Sequence, residues 1–346
     1  MNKNRLDELV EEGWLISQVH PLLDLTIYNY SQKTQYEKMW NEETLSCRGL
    51  VLNSKGDIVA RPFKKFFNLS EVQDKIPDLP FEAFEKMDGS LGIFFWYEGI
   101  PVFASRGSFN SDQAKYGWEI LKKMDYESLS PNVTYLFEII YPENRIVIDY
   151  KEDEKIVLLG AIETSSDKEI KYSELLSDLG EKGFELVKKW TNKKSLDELK
   201  KENDFDREGY VIRFENGFRI KVKFDEYCRL HRIITNVSNI DIWEKLKDNL
   251  PMDEILDKVP DEFYEWVRRT EEDLREKFQD VLEESEKKLY SIKNKLGNSD
   301  RKTYADLIIK EENSGILFNL LDGNDPRKII WKLIRPTWSK PFASNK

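Results

Sequence analysis

The chain has 346 residues, 34% of them charged and 40% hydrophobic, with 54 Lys and Arg against 65 Asp and Glu for a net charge of −11. That is an ordinary globular composition with room for two domains, and the acidic balance excludes a general nucleic-acid coat while allowing a local basic groove. No apolar run approaches a membrane span, and two cysteines, Cys47 and Cys228, without a CxxC pair exclude a disulfide framework and a thiolate metal site, which points to a reduced, cytoplasmic setting.

The first residues, MNKNRLDELVEEGW, predict an amphipathic helix rather than a signal peptide. Tyr28, Tyr30 and Tyr36 follow, placed to pack a core edge or to stack on a base. Leu50–Leu52 and Ile58–Ala60 flank Asn53–Asp57, a hairpin signal. Arg48 leads into this hairpin, and Lys64 and Lys65 follow it. Such cations are either solvated or line a phosphate site.

Phe84–Phe95, FEKMDGSLGIFF, puts strand-like runs on both sides of an Asp88-Gly89-Ser90 turn. Lys86 stands at the start of that turn, as an exposed hairpin lysine or as a lysine at the mouth of a pocket. GIPVFASRGSFNSDQAKYGWEIL predicts a strand, a basic turn at Arg106-Gly107-Ser108, and a helix capped by Asn110 or Ser111 with Asp112 in its first turn. VTYLFEIIYPENRIVIDY then places Glu138 inside an apolar run, where a carboxylate is costly unless compensated. A structural ion pair and a ligand-facing carboxylate both remain open. Residues 156–162, IVLLGAI, predict another strand, and the Lys- and Glu-rich stretch from Tyr172 to Glu202 predicts helix.

DREGYVIRFENGFRIKVKF predicts two strands joined at Glu215-Asn216-Gly217, with Glu208 at the rim. A period of two puts Lys221 and Lys223 on one face. If that face lines a pocket, two ammonium groups converge on one anion. Strand signals end near Asp241. Phe263, Trp266, Val267, Leu274, Phe278, Val281 and Leu282 then recur at helical spacing, with Pro251 and Pro260 as helix starts or breaks. The expected class is α+β: a domain of antiparallel sheets flanked by helices over 1–240, then an all-α domain over 241–346.

In order along the chain, CRGLVLN with KFFNLSE, KMDGS, SRGS with SDQA, FEIIYPENRIVIDY, EGYV, FRIKVKFDEYCRLH and DRKTYA at 300–305 resemble the ATP-dependent RNA ligase 1 family, the bacteriophage tRNA-repair type of covalent nucleotidyltransferase. KxDG or EGYV alone is a weak signal. NRIV after the glutamate strand, together with KFFN, is more specific and favours RNA ligase 1 over DNA ligases and capping guanylyltransferases. Arg106 stands where that family leads one to expect lysine, so the charge is kept and the geometry changes.

The resemblance implies an ATP-grasp-like nucleotidyltransferase domain that joins 5′-phosphate and 3′-hydroxyl RNA ends through lysyl-AMP. Lys86 would be the nucleophile. A phosphoramidate requires a neutral amine, and a desolvated pocket shared with Lys221, Lys223 and a metal ion would disfavour the ammonium form. Lys221 and Lys223 would hold the α-phosphate, Arg48 and Lys65 the outer phosphates or the RNA end, and Arg106 would complete the nucleotide site. Glu138 would meet the ribose or a metal-bound water. Glu208 would help bind Mg²⁺, with Mn²⁺ an alternative. The implied partner is nicked tRNA or single-stranded RNA ends, met by a monomer with no membrane contact, and the helical domain would choose the substrate. A non-catalytic RNA-binding protein on the same fold is the reading from another class.

Overall fold

The computed structural model describes the chain except residues 145, 191–194, 205, 229–236, 257–258, 260–263 and 339–346. Arg145 of NRIV, Pro260, Phe263 and the Arg229–His231 end of FRIKVKFDEYCRLH thus lie outside the described residues. The chain divides into two compact units, residues 1–234 and 235–346.

Thirteen strands are described in the first unit: β1 Leu15–Val19, β2 Thr26–Tyr30, β3 Arg48–Leu52, β4 Ile58–Ala60, β5 Phe67–Asn68, β6 Phe81–Lys86, β7 Ser90–Tyr97, β8 Ile100–Ser105, β9 Val133–Ile140, β10 Lys155–Glu163, β11 Lys189–Trp190, β12 Gly209–Phe214 and β13 Arg219–Lys223. They form three sheets, ordered β1-β2-β3-β4, β10-β9-β7-β8 and β11-β6-β12-β13-β5, antiparallel except for β13 beside β5. Turn chemistry sets the hairpins. Asn53 accepts the Asp57 backbone N–H on its side chain at 2.9 Å, and Asn216 does the same for Phe218 at 3.0 Å.

Alternation along β7 and β9 explains the layering. Ile93, Phe95 and Leu136 face one way, into a core with Leu25, Ile27, Val51 and Ala60 from the first sheet. Phe94, Tyr135, Phe137 and Ile139 face the other way, against Leu121 of the helix Asp112–Leu121 and Leu175 and Leu179 of the helix Tyr172–Gly180. Both faces are buried, so these strands read as nearly unbroken apolar runs. Ser111 caps the first of these helices by accepting the Ala114 N–H at 3.1 Å.

The five-stranded sheet is two-faced. Ala83, Tyr210, Ile212, Phe214, Ile220 and Val222 enter its own core with Leu199. The opposite face carries three cross-strand rows: Glu82, Arg213 and Arg219; Phe84, Val211 and Lys221; Lys86, Gly209 and Lys223. The first row is bound by ion pairs to Glu169, which meets both Arg219 and, at 3.2 Å, Arg213. The third row is the site described below.

Tyr172–Glu202 is not one helix. It divides into the helix Tyr172–Gly180, strand β11 and the helix Leu196–Lys201. Lys189 and Trp190 pair with Phe84 and Ala83, and Trp190 packs edge-on against Tyr210 with ring centroids 5.9 Å apart. Cross-strand pairing and aromatic burial override the helical preference of the lysines and glutamates around them.

In the second unit the described elements are helices: Asn239–Lys247, Asp253–Leu256, Tyr264–Leu296, Arg301–Ile308, Ser314–Leu321 and Arg327–Leu333. The 33-residue Tyr264–Leu296 buries Val267, Leu274, Leu289 and Ile292. Their separations of 7, 15 and 3 residues are near whole numbers of turns, which keeps one stripe inward over about seven turns. Leu289 and Ile292 pack with Tyr304, Ile308 and Leu317, and Phe278 stacks on Trp331 at 4.9 Å.

Candidate active site

Register brings the central residues together. Gly209 of β12 lies opposite Lys86 of β6 on one side and Lys223 of β13 on the other. Glu208, the residue before it, therefore reaches both lysines, with Lys86 Nζ at 2.6 Å and Lys223 Nζ at 2.7 Å, one on each carboxylate oxygen. Glu208 is not at a rim. It is 2% exposed, because two neighbouring strands cover it. Burial pushes its carboxyl up, but the charges and hydrogen bonds of Lys223 and Lys86 outweigh that and hold it below the ordinary value. Gly209 is required by the same closeness. Its φ is +146°, and a Cβ would fall 2.0 Å from the Val222 carbonyl oxygen.

Lys86 thus stands directly beside the Glu208 carboxylate, whereas the resemblance implies a Glu208 that helps to bind a metal ion. An attacking amine must be neutral, so this contact has to be exchanged before Lys86 can act as a nucleophile.

The Asp88-Gly89 turn is tied to a second wall. Asp88 is 4% exposed. Its Oδ2 accepts the backbone N–H groups of Val147 and Ile148 at 2.9 and 2.8 Å, its Oδ1 accepts the Tyr227 hydroxyl at 2.8 Å, and its own N–H donates to the Tyr150 hydroxyl at 3.0 Å. The Gly89 N–H donates to Glu138 Oε1 at 3.0 Å, and a Cβ on Gly89 would sit 2.5 Å from the Ile139 carbonyl oxygen. A cavity of about 440 Å³ opens between Asp88 and the segment Ile140–Glu152. The role of Asp88 was missed at the sequence level, although its place between Met87 and Gly89 in the turn after Lys86 was the available signal.

Glu138 has no ion pair among the described residues, so the structural ion-pair reading of this carboxylate finds no partner. Burial pushes its carboxyl up to about 7. Lys86 opposes this, the Glu208 charge reinforces it, and Arg48 and the Gly89 N–H oppose it again. The folded chain therefore holds this proton more tightly than the unfolded chain, whose value is near 4.5. The resulting stability is complete below about 4.5 and is lost as pH rises through about 7. Glu138→Gln should remove that loss. In thermal melts with EDTA the variant should exceed the native protein by roughly 1–3 kcal/mol at pH 8 and differ little at pH 5. Parallel melting curves across that range would show that Glu138 is already ionised at neutral pH.

The remaining predicted cations meet aromatic rings. Lys65 Nζ lies 5.2 to 5.5 Å from the ring centroids of Tyr30, Trp40 and Phe67. Arg106 lies over Tyr30 at 5.5 Å, and Arg48 and Lys221 approach Phe66 at 5.4 and 5.8 Å. Arg48 also acts on the charge of Glu138, which joins this group to the lysine row. Lys64 points elsewhere, 3.7 Å from Asp167. Phe66 was read from the sequence only as part of KFFN, with no role of its own, and Trp40 was not singled out.

Among the described residues no group of three or more His, Cys, Asp or Glu is arranged for a metal ion. Glu138 and Glu208 interact as like charges, and a cation between them would relieve that repulsion. Mg²⁺ needs one or two carboxylates, its other positions being filled by water and phosphate, and the donor set fits that demand.

The RNA ligase family model matches residues 46–227, which include Arg48, Lys65, Lys86, Arg106, Glu138, Glu208, Lys221 and Lys223 and more than half of the chain. An RNA ligase of Rhodothermus phage RM378 is 23% identical, aligned over 88% of this chain and 86% of its own. A Thermovibrio ammonificans protein, also named as an RNA ligase, is 29% identical over 209 residues, 56% of this chain. The chain spans about half, 54%, of the length of that relative. An archaeal ATP-dependent RNA ligase structure aligns at TM-score 0.48 and 14% identity, over 76% of this chain and 70% of its own. The family match runs from the strand carrying Arg48 to Tyr227, which holds Asp88, and on that ground the chain belongs to the RNA ligase family.

Proposed function

We propose that this chain is an ATP-dependent RNA ligase with Lys86 as its nucleophile. The observation that carries the reading is the Lys86–Glu208–Lys223 row, with Lys221 on the same strand face and Glu138 acting on it electrostatically. In the first step Lys86 Nζ attacks the α-phosphate of ATP. A P–N bond forms, pyrophosphate leaves, and the amine proton passes to solvent. Lys221 and Lys223 stabilise the phosphoryl oxygens as charge develops. In the second step a 5′-phosphate oxygen of RNA displaces Lys86 and takes the AMP. In the third a 3′-hydroxyl attacks that 5′-phosphate, forming the phosphodiester and releasing AMP.

Arg48, Lys65 and Arg106 bind outer phosphates and later the RNA end, on a shelf of Tyr30, Trp40, Phe66 and Phe67. Glu138 and Glu208 are the residues that would hold Mg²⁺, or Mn²⁺ in its place, and such an ion supplies charge neutralisation at the phosphates. Exchange of Glu208 from Lys86 frees the amine. The substrate is nicked tRNA or another broken RNA strand, the working form is a monomer in the cytoplasm, and the helical region 241–346 selects among RNAs.

The test is incubation with α-labelled ATP and Mg²⁺. Label on the protein that survives alkali and is released by acid or acidic hydroxylamine, as a P–N bond to lysine behaves, is the expected result. Label from GTP in place of ATP would make the chain a capping-type enzyme, sealing of nicked DNA in place of RNA would make it a DNA ligase, and no label at all would leave an RNA-binding protein on a ligase fold.

A further inference from the structure

The chain is acidic overall, yet from Pro326 to Trp338 it carries Arg327, Lys328, Lys332 and Arg335 and no Asp or Glu. All four cations are exposed. None of them has an ion pair among the described residues. Several other cations of the same unit are matched, among them Lys245 with Glu254, Arg275 with Glu271, Lys288 with Glu311 and Arg301 with Asp322, and what sets 326–338 apart is that four cations stand there with no acid among them. The nearest acid in sequence, Asp325, accepts the Arg327 backbone N–H at 2.9 Å.

Three features make this arrangement costly for folding alone. The helix Arg327–Leu333 buries Ile330 and Trp331 against the unit, which leaves Lys328 and Lys332 one turn apart on its outer side. Like charges at that spacing destabilise a helix by a few tenths of a kcal/mol. Arg327 and Lys328 lie in the first turn, where the helix dipole disfavours cations. Beside them Leu333 is 51% exposed and Trp338 62% exposed, apolar surface that solvent alone does not favour. Arg335 lies over the Trp243 ring at 5.3 Å, which holds its guanidinium at the margin of the same surface.

We propose that this surface, formed by Arg327, Lys328, Lys332 and Arg335 with Trp338, docks the phosphate backbone of RNA, Trp338 offering a face for an unpaired base. A polyanion turns the uncompensated charges from a cost into a source of affinity by releasing its counterions, and a large exposed ring beside cations suits a base next to its phosphate. The inference rests on the reading of the chain as an RNA ligase for the identity of the polyanion. It locates a second contact, apart from the residues assigned to chemistry.

The experiment uses the full chain and a nicked RNA stem-loop, with binding measured by anisotropy between 50 and 300 mM salt. Two variants are compared: Lys328→Gln/Lys332→Gln, and the charge reversal Arg327→Glu/Lys328→Glu/Lys332→Glu. The Gln pair should weaken stem-loop binding roughly 3- to 10-fold and reduce the slope of log K against log salt by about 1 to 2. It should melt no lower than the native protein, since it removes a like-charge pair, so it stays informative if the reversal variant fails to fold. Where the reversal variant folds, it should lose at least tenfold. The rate of self-adenylation should be unchanged in both. Unchanged RNA affinity and salt slope in the Gln pair would overturn the proposal, as would the same variant losing affinity for phosphatidylserine vesicles while keeping its RNA binding. Absence of self-adenylation in the native protein would instead overturn the ligase reading, and a stem-loop affinity that still fell in the Gln pair would then uphold the docking surface by itself.

Discussion

Lys86→Ala should eliminate labelling of the protein by α-labelled ATP, a fall on the order of 10⁴-fold or more, because no other group takes over the attack when a covalent nucleophile is removed. Lys86→Arg should fail as well, since guanidinium does not deprotonate in proteins. Two companion measurements make the result specific. ATP affinity by calorimetry should persist in Lys86→Ala, because Lys221, Lys223, Arg48 and Lys65 remain. RNA that already carries a 5′-adenylate should still be sealed, because that step forms no bond to Lys86. Loss of sealing on pre-adenylated RNA in a folded variant would mean that Lys86 does more than attack. Accumulation of covalent AMP in Lys86→Ala would end its assignment as nucleophile. Some loss of thermal stability is expected in either case, since Glu208 is 2% exposed and would keep only one of its two lysines.

Lys221→Ala and Lys223→Ala should each slow self-adenylation by roughly 10²- to 10³-fold, the usual cost of removing a fixed donor aimed at developing charge. Both are on one face of β13, two residues apart. They should differ in stability. Lys223 is bound to Glu208 at 2.7 Å, so Lys223→Ala should also lower Tm and sensitise the fold to alkaline pH through Glu138, which would face a less compensated Glu208. Single-turnover rates with labelled ATP, measured beside melting curves, separate the two effects. A normal adenylation rate in either variant would show that its lysine does not meet the α-phosphate.

Much of the site was legible before folding because its rules are local. Period two places Lys221 and Lys223 together within one strand, and Asn53–Asp57 and Glu215–Gly217 mark hairpins through backbone conformations that those residues adopt readily. The burial of Glu208, the anchoring of Asp88 and the strand at Lys189–Trp190 were not legible. Each depends on a partner far along the chain: Lys86 and Glu208 are 122 residues apart, and Asp88 and Tyr227 are 139 apart. The aromatic surroundings of Lys65 likewise draw on Tyr30 and Trp40 from other segments.

By itself, then, the sequence determined which residue types stand at which turn, which faces alternate, and where sheet gives way to helix, since backbone periodicity and turn preference act over a few residues. Only the tertiary structure decided which charges meet. Pairing of β6, β12 and β13 puts one carboxylate between two lysines, and burial in that position holds Glu208 low while the less compensated Glu138 is pushed up to about 7. The energy of a charge depends on its distance to other charges and on the water it has lost, and both are set by strands that neighbour it in space rather than in sequence.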